Sequence, residues 1–230
     1  MHIPDGFIDA PVSVAAGVGA IAAVALSVRG AQREVAEASA PMAGLTAVFI
    51  FAAQMVNFPV GTGTSGHLIG AALAAILIGP YAAVLAMTVV LVVQALVFAD
   101  GGLSALGLNV LNLAVVAVAV GWFAFKGLQR MVPVGRGGIW LAAGGAGFLS
   151  VLGAAGGFVV EYALGGTVPL SWQPVAAAML GVHMVIGIGE GIITALVVAA
   201  VAKVRPDLVF GMRGKATRDE PTSVSSGVST

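Results

Sequence analysis

The chain has 230 residues, 59% of them hydrophobic and 9% charged, with ten Lys and Arg balanced by ten Asp and Glu. Its mean hydropathy is +1.06. A soluble domain is about one-quarter charged, so this chain cannot cover a water-facing surface and is expected to face lipid. Cysteine is absent, which excludes disulfides, zinc–thiolate sites, Fe–S clusters and thiol catalysis. A metal would have to be held by nitrogen or oxygen, with Met sulfur as a weak further donor.

Taken in order, seven apolar stretches come close to the roughly 20 residues that a membrane helix needs. They run over 10–28, 40–58, 65–79, 81–98, 106–125, 138–162 and 174–204. The third is short and bounded by glycines, which predicts a broken or re-entrant segment. Irregular backbone is tolerated at membrane depth where it lines a cavity. No alternating pattern of strand type competes with these stretches. Asp5 and Asp9 precede the first stretch, and no basic region does. It therefore reads as a retained helix, with the N-terminus kept on the mature protein. After Pro206 the hydropathy collapses, and residues 214–230 are polar and rich in Ser and Thr. This predicts a transmembrane domain over 1–205 and a polar, disordered cytoplasmic tail over 206–230. The predicted fold is all-α: a bundle of about seven transmembrane helices crossing the cell membrane. No nucleic-acid partner is expected.

The cations fall in three stretches: Arg29 and Arg33; Lys126, Arg130 and Arg136; and Lys203, Arg205, Arg213, Lys215 and Arg218. With seven spans, all three share one side, which the positive-inside rule makes cytoplasmic. The N-terminus is then outside and the C-terminus inside. Asp5, Asp9 and Asp100, with Glu161 nearby, mark the outer side, and a negative mouth favours cations.

The chain starts Met1-His2-Ile3-Pro4-Asp5-Gly6-Phe7. A His at position two of a free chain can chelate one ion through the terminal amine, its own amide nitrogen and its ring Nδ1. These donors close a five- and a six-membered ring in nearly one plane, and the amide must lose its proton. Planar nitrogen ligation suits Ni(II), Cu(II) or low-spin Co(II), and suits Zn(II) poorly. His67, in Gly61-Thr62-Gly63-Thr64-Ser65-Gly66-His67 on the same side of the membrane, is the candidate fourth donor. Asn57, Thr64 and Ser65 are candidates to orient its ring through the other nitrogen. His183 and Glu190, seven apart on the last span, share a helix face. Ionisable groups within a span point to function. A relay or supporting role is open for this pair, as is a structural bond from His183 to Gln94, Asn109 or Asn112. Gln54, Gln94, Asn109 and Asn112 otherwise read as polar contacts between helices. Gly153-x-x-x-Gly157 and Gly187-x-x-x-Gly191 read as helix-packing motifs. No phosphate-binding glycine loop with Lys is present.

Four segments together resemble the CbiM/NikM family. They are Met1 to Phe7, Gln54-Met55-Val56-Asn57-Phe58-Pro59-Val60, Gly63-Thr64-Ser65-Gly66-His67-Leu68, and His183 with Gly189-Glu190-Gly191. The family comprises the substrate-binding membrane components of energy-coupling factor transporters for cobalt and nickel, and the resemblance runs from Met1 to about Val204. It implies a helical membrane fold whose N-terminal segment dips into the bundle. It also implies an ion held by the Met1 amine, the His2 amide nitrogen, the His2 ring and the His67 ring. The partners it implies are a transmembrane coupling subunit, two cytoplasmic ATPases and a small accessory membrane subunit. No permanent cofactor is implied; Co(II) or Ni(II) is bound as substrate. Two other functions remain open: a stand-alone carrier or channel for a divalent transition metal, and an intramembrane metalloenzyme using His183 and Glu190, for which no nucleophile is evident.

Overall fold

The computed structural model describes residues 1–34, 40–61, 64–132 and 136–213. Seven helices occur among the described residues. These are α1 (Ala10–Glu34), α2 (Ala40–Gln54), α3 (Ala71–Ile78), α4 (Pro80–Val97), α5 (Leu106–Met131), α6 (Arg136–Gly165) and α7 (Trp172–Val204). Between α2 and α3, β1 (Phe58–Gly61) and β2 (Thr64–Gly66) form a short antiparallel hairpin pairing Phe58 with Gly66.

Five of the helices, α1 and α4 to α7, are long and apolar enough to cross a bilayer, and α2 is a shorter apolar helix. Their outer faces carry Ile21, Leu45, Val185 and Leu196, each at least 65% exposed. Such a belt of bare aliphatic side chains is stable against lipid, not water. The chain is a multi-pass membrane protein.

The expected third span takes a different form. Residues 65–79 comprise the end of the hairpin, a non-helical stretch and α3. With eight residues, α3 rises only about 12 Å, against a hydrocarbon core of about 30 Å. Every residue of α3 is buried. It is a half-helix at the centre of the bundle, in contact with α2, α4, α5, α6 and α7. Gly79, at φ 97°, turns the chain into α4, and Pro80 opens that helix, where its missing N–H costs nothing. The non-helical backbone before α3 is thus enclosed by protein rather than lipid, as unpaired polar groups at this depth require.

Small residues set the helix spacing. In α7, Gly187 faces Phe148 and Gly191 faces the Gly144 carbonyl of α6. Between α1 and α5, Gly17 meets Gly107 backbone to backbone. Helix α5 widens to π-helical bonding over Val110–Val116, a distortion often found at functional sites.

The two ends of the bundle differ. At the basic end, Glu34 Oε2 accepts from the Ala82 N–H in the first turn of α4 at 2.9 Å, and Arg213 Nη1 donates to the Glu34 carbonyl at 2.8 Å. Residues 206–213, assigned from sequence to the disordered tail, instead fold back as short 3-10 turns. Val209 is fully buried, Gly211 abuts Phe125, and Phe210 meets the Trp122 ring at 5.6 Å. The apolar run Leu208 to Met212 supplies the burial that holds this segment to the bundle. The rest of the expected tail, 214–230 with Lys215 and Arg218, lies outside the described residues.

A Cβ at position 107 would sit 2.5 Å from the Gly17 Cα, whereas one at Gly127 would meet nothing within 4 Å. Gly107→Ala is therefore expected to lower the thermal midpoint of the purified protein. Gly127→Ala should leave it unchanged or raise it slightly, since Ala exceeds Gly in helix propensity by about 1 kcal/mol. Melting in detergent, followed by size exclusion, checks both.

Candidate metal centre

The first nine residues enter no helix, yet Met1, His2 and Ile3 are at most 5% exposed. Main-chain groups buried this deeply need partners, and neighbouring elements supply them. The Ile3 N–H donates to Asn109 Oδ1 at 2.7 Å, and Asn109 Nδ2 donates back to the Ile3 carbonyl at 3.2 Å. That carbonyl also accepts from the Gly102 N–H at 2.9 Å. Ile8 bridges Gly166, the Thr167 N–H donates to the Phe7 carbonyl at 3.1 Å, and the Asp9 N–H donates to the Gly165 carbonyl at 2.7 Å. Asp9 Oδ1 then caps α1 by accepting from the Val12 N–H at 3.0 Å. Asp5, on the surface, accepts from the Ser104 N–H and hydroxyl at 2.7 and 2.6 Å, and these bonds hold its carboxyl below the ordinary range. Gly102 has no room for a side chain: a Cβ there would collide with the Asp5 amide.

This path delivers His2 onto His67. The two rings stack at 4.5 Å between centroids and 23° between planes. His67 is fully buried, and its Nδ1 lies 2.8 Å from the Leu68 carbonyl. A carbonyl only accepts, so the proton is assigned to Nδ1 and the lone pair to Nε2. His67 Nε2 has no hydrogen-bond partner among the described residues. Both nitrogens of His2 are likewise without one, although Nδ1 lies 3.0 Å from Asp100 Oδ1. Buried nitrogens left unpaired in this way mark a place for a ligand.

The Met1 amine completes the group, donating to Ser65 Oγ at 3.4 Å. Burial favours the uncharged form of the amine, with Asp100 acting in the opposite direction. Among the described residues no three His, Cys, Asp or Glu side chains converge as a metal cluster. The nitrogen set assembled here escapes that pattern, because two of its atoms belong to the main chain.

The candidate supporting residues take other roles than orienting the His67 ring through Nδ1, which Leu68 occupies. Ser65 meets the Met1 amine, and Asn57 Nδ2 donates to Asp100 Oδ2 at 3.4 Å. Thr64 is a backbone position of β2, and its side chain lies outside the described residues. His183 bonds through Nδ1 to the Met179 carbonyl at 2.8 Å, in place of Gln94, Asn109 or Asn112, and its ring lies beneath Gly66. Glu190 accepts from the Ile69 and Gly70 N–H groups at 2.5 and 2.9 Å. It thereby anchors to α7 the backbone that presents His67.

Asn109 is the functional position that sequence reasoning missed. An Asn inside an apolar helix reads equally as glue between helices; only its reciprocal pair with Ile3 reveals that it sets the register of the N-terminal segment. Asn112, one turn on, donates instead to Glu161 at 2.5 Å.

Removing the Asn109 amide strands one buried donor and weakens the hold on one acceptor, each costing about 1–3 kcal/mol. Asn109→Ala should release residues 1–8 from the bundle while the helices persist. Hydrogen exchange should then rise at Ile3 and leave α3 protected.

Comparison with known proteins bears on this arrangement. Residues 2–208 match the family model CbiM, described as the cobalt uptake substrate-specific transmembrane region. A protein of Haloquadratum walsbyi, provisionally named for metal transport, is 42% identical over 212 residues, covering 91% of this chain and 94% of its own. The fused nickel transport protein of Rhodobacter capsulatus is 33% identical over 244 residues, covering 99% of this chain and 69% of its own. A crystal structure of a truncated transition metal transporter superposes with a TM-score of 0.82 at 29% identity, covering 88% of this chain and 99% of that one.

Proposed function

Because the chain belongs to the CbiM family of cobalt uptake substrate-specific transmembrane regions, we propose that it is the substrate-capturing component of an ATP-driven importer for Co(II) or Ni(II). The chain is a membrane component of cobalt and nickel transport rather than an enzyme. The proposed site holds the ion, as substrate, by the Met1 amine, the His2 amide nitrogen, His2 Nδ1 and His67 Nε2.

One observation carries this reading: His2 and His67 stack in a buried pocket with their coordinating nitrogens unpaired. The amine and the His2 amide flank that pair by covalent necessity, so four nitrogens lie within reach of one ion. The amide must release a proton to join them. Planar nitrogen coordination excludes ions that demand oxygen octahedra or tetrahedra. Glu190 holds the His67 loop on one side and Asn109 holds Ile3 on the other, so neither half of the site needs to be ordered by the ion.

Inward release needs work from elsewhere. The chain carries no phosphate-binding glycine loop with Lys. In this proposal a transmembrane coupling subunit, two cytoplasmic ATPases and a small accessory membrane subunit supply it. The basic end of the bundle, formed by the ends of α1, α5 and α7, is the side they would meet.

The test is metal binding by purified protein with a native N-terminus. One equivalent of Co(II) or Ni(II) is expected, lost in His67→Ala and when one residue is added before Met1, with the fold intact by circular dichroism. Binding indifferent to both changes refutes the site. Uptake in cells lacking the ATPases, at the rate seen with them, refutes the coupling and favours a stand-alone carrier.

The proton balance gives a second check. The amide can coordinate only after losing its proton, so affinity should rise with pH and at least one proton should be released per ion. Calorimetry in buffers of different ionisation enthalpy counts that proton; a count of zero removes the amide from the ligand set.

A further inference from the structure

We infer that Asp100 is a fifth ligand, an axial oxygen that separates Co(II) from Ni(II) at this centre; the inference rests on the nitrogen site proposed above. The geometry begins with the contact between Asp100 Oδ1 and His2 Nδ1 at 3.0 Å. Two atoms bound at right angles to one ion, each at about 2.0–2.2 Å, stand roughly 2.9 Å apart. The pair has the separation of neighbouring ligands, although the side chains of His2, His67 and Asp100 do not converge on one point as they stand. The contact is an ion-pair approach that holds the Asp100 carboxyl below its ordinary range, yet it does not meet the angle of a ring N–H hydrogen bond. Two donors that approach closely without pointing at each other can point at a common third position.

The carboxylate is set there by several contacts. Asn57 Nδ2 holds the other oxygen, Oδ2, at 3.4 Å, and the Asp100 N–H donates to the Gln94 carbonyl at 3.0 Å. Its neighbours Ala99 and Gly101 both take positive φ, 51° and 96°, a costly conformation for Ala. The His2 ring, 95% buried with Nε2 also unpaired, lines the same open cavity of about 250 Å3 as Asp5, Ser65 and Asp100. An ion arriving from outside meets this carboxylate on its way to the nitrogens.

Electron count then makes Asp100 selective. Low-spin Ni(II) in a nitrogen plane keeps a filled orbital along the axis and repels a fifth donor. Co(II), with one electron fewer, has that orbital half filled and accepts one. Coordination number follows the metal when the protein offers a donor at the right place. Asp100 thus adds a bond for cobalt and only a distant charge for nickel. No group is transferred and no oxidation state changes.

The experiment uses the full chain with a native N-terminus, titrated with Co(II) and with Ni(II) against a chromogenic chelator, as wild type, Asp100→Ala and His67→Ala. Asp100→Ala is expected to lower Co(II) affinity about ten- to a hundredfold more than Ni(II) affinity. An unchanged ratio of the two affinities overturns the inference, even if both fall. X-ray absorption on the loaded wild type needs no variant: five-coordinate cobalt with an oxygen neighbour and four-coordinate nickel are expected, and equal coordination of the two overturns it. His67→Ala should abolish binding of both ions. If it does not, the nitrogen site itself is wrong and the inference falls with it, a result distinct from an unchanged ratio with His67 essential.

Discussion

Everything about the proposed centre depends on how a non-helical segment is kept inside a membrane protein. Residues 1–8 cannot satisfy their own main chain, and lipid offers no partners. The reciprocal pair between Ile3 and Asn109 solves the deepest part of this problem, and Gly102 and Thr167 solve the rest. Once Ile3 is in register, Met1 and His2 are brought within reach of Ser65 and His67. The π-helical widening of α5 begins directly after Asn109, so the distortion and the clamp occupy one turn.

The other half of the centre is built on the same logic with different parts. His67 follows a hairpin and precedes a half-helix, all unable to face lipid. Glu190 pairs two of the exposed N–H groups at the start of α3, where a carboxylate also complements the helix dipole. A carboxylate reaching from a neighbouring helix does here what an N-cap side chain does in a soluble protein. The fully apolar α3 then fills the centre of the bundle next to the site.

Hydropathy made the long helices legible, because each is a run of apolar residues whose length is fixed by the bilayer. It overstated the third span, since apolar content does not distinguish a helix that crosses from one that stops midway; the break lies in the glycines and the hairpin before it. Residues 206–213 misled in the opposite direction, because Val209 and Gly211 fold back onto the bundle in a stretch too short to read as a helix. The His2 and His67 pairing was legible from chelate geometry and a shared side of the membrane. Asn109 and Asp100 were not, for their roles depend on the angle at which a chain segment enters the bundle. His183 shared a predicted face with Glu190, yet its bond stays within its own helix.

In the proposed ligand set, two of the four nitrogens belong to the main chain. No side-chain substitution can delete an amine, and only proline can take away the amide proton. Substitution at His2 or His67 removes a donor outright, whereas substitution elsewhere, as at Asn109, acts through the path that delivers the donors. Half of such a centre is written in the peptide chain itself, and its tuning falls to the residues that place that chain.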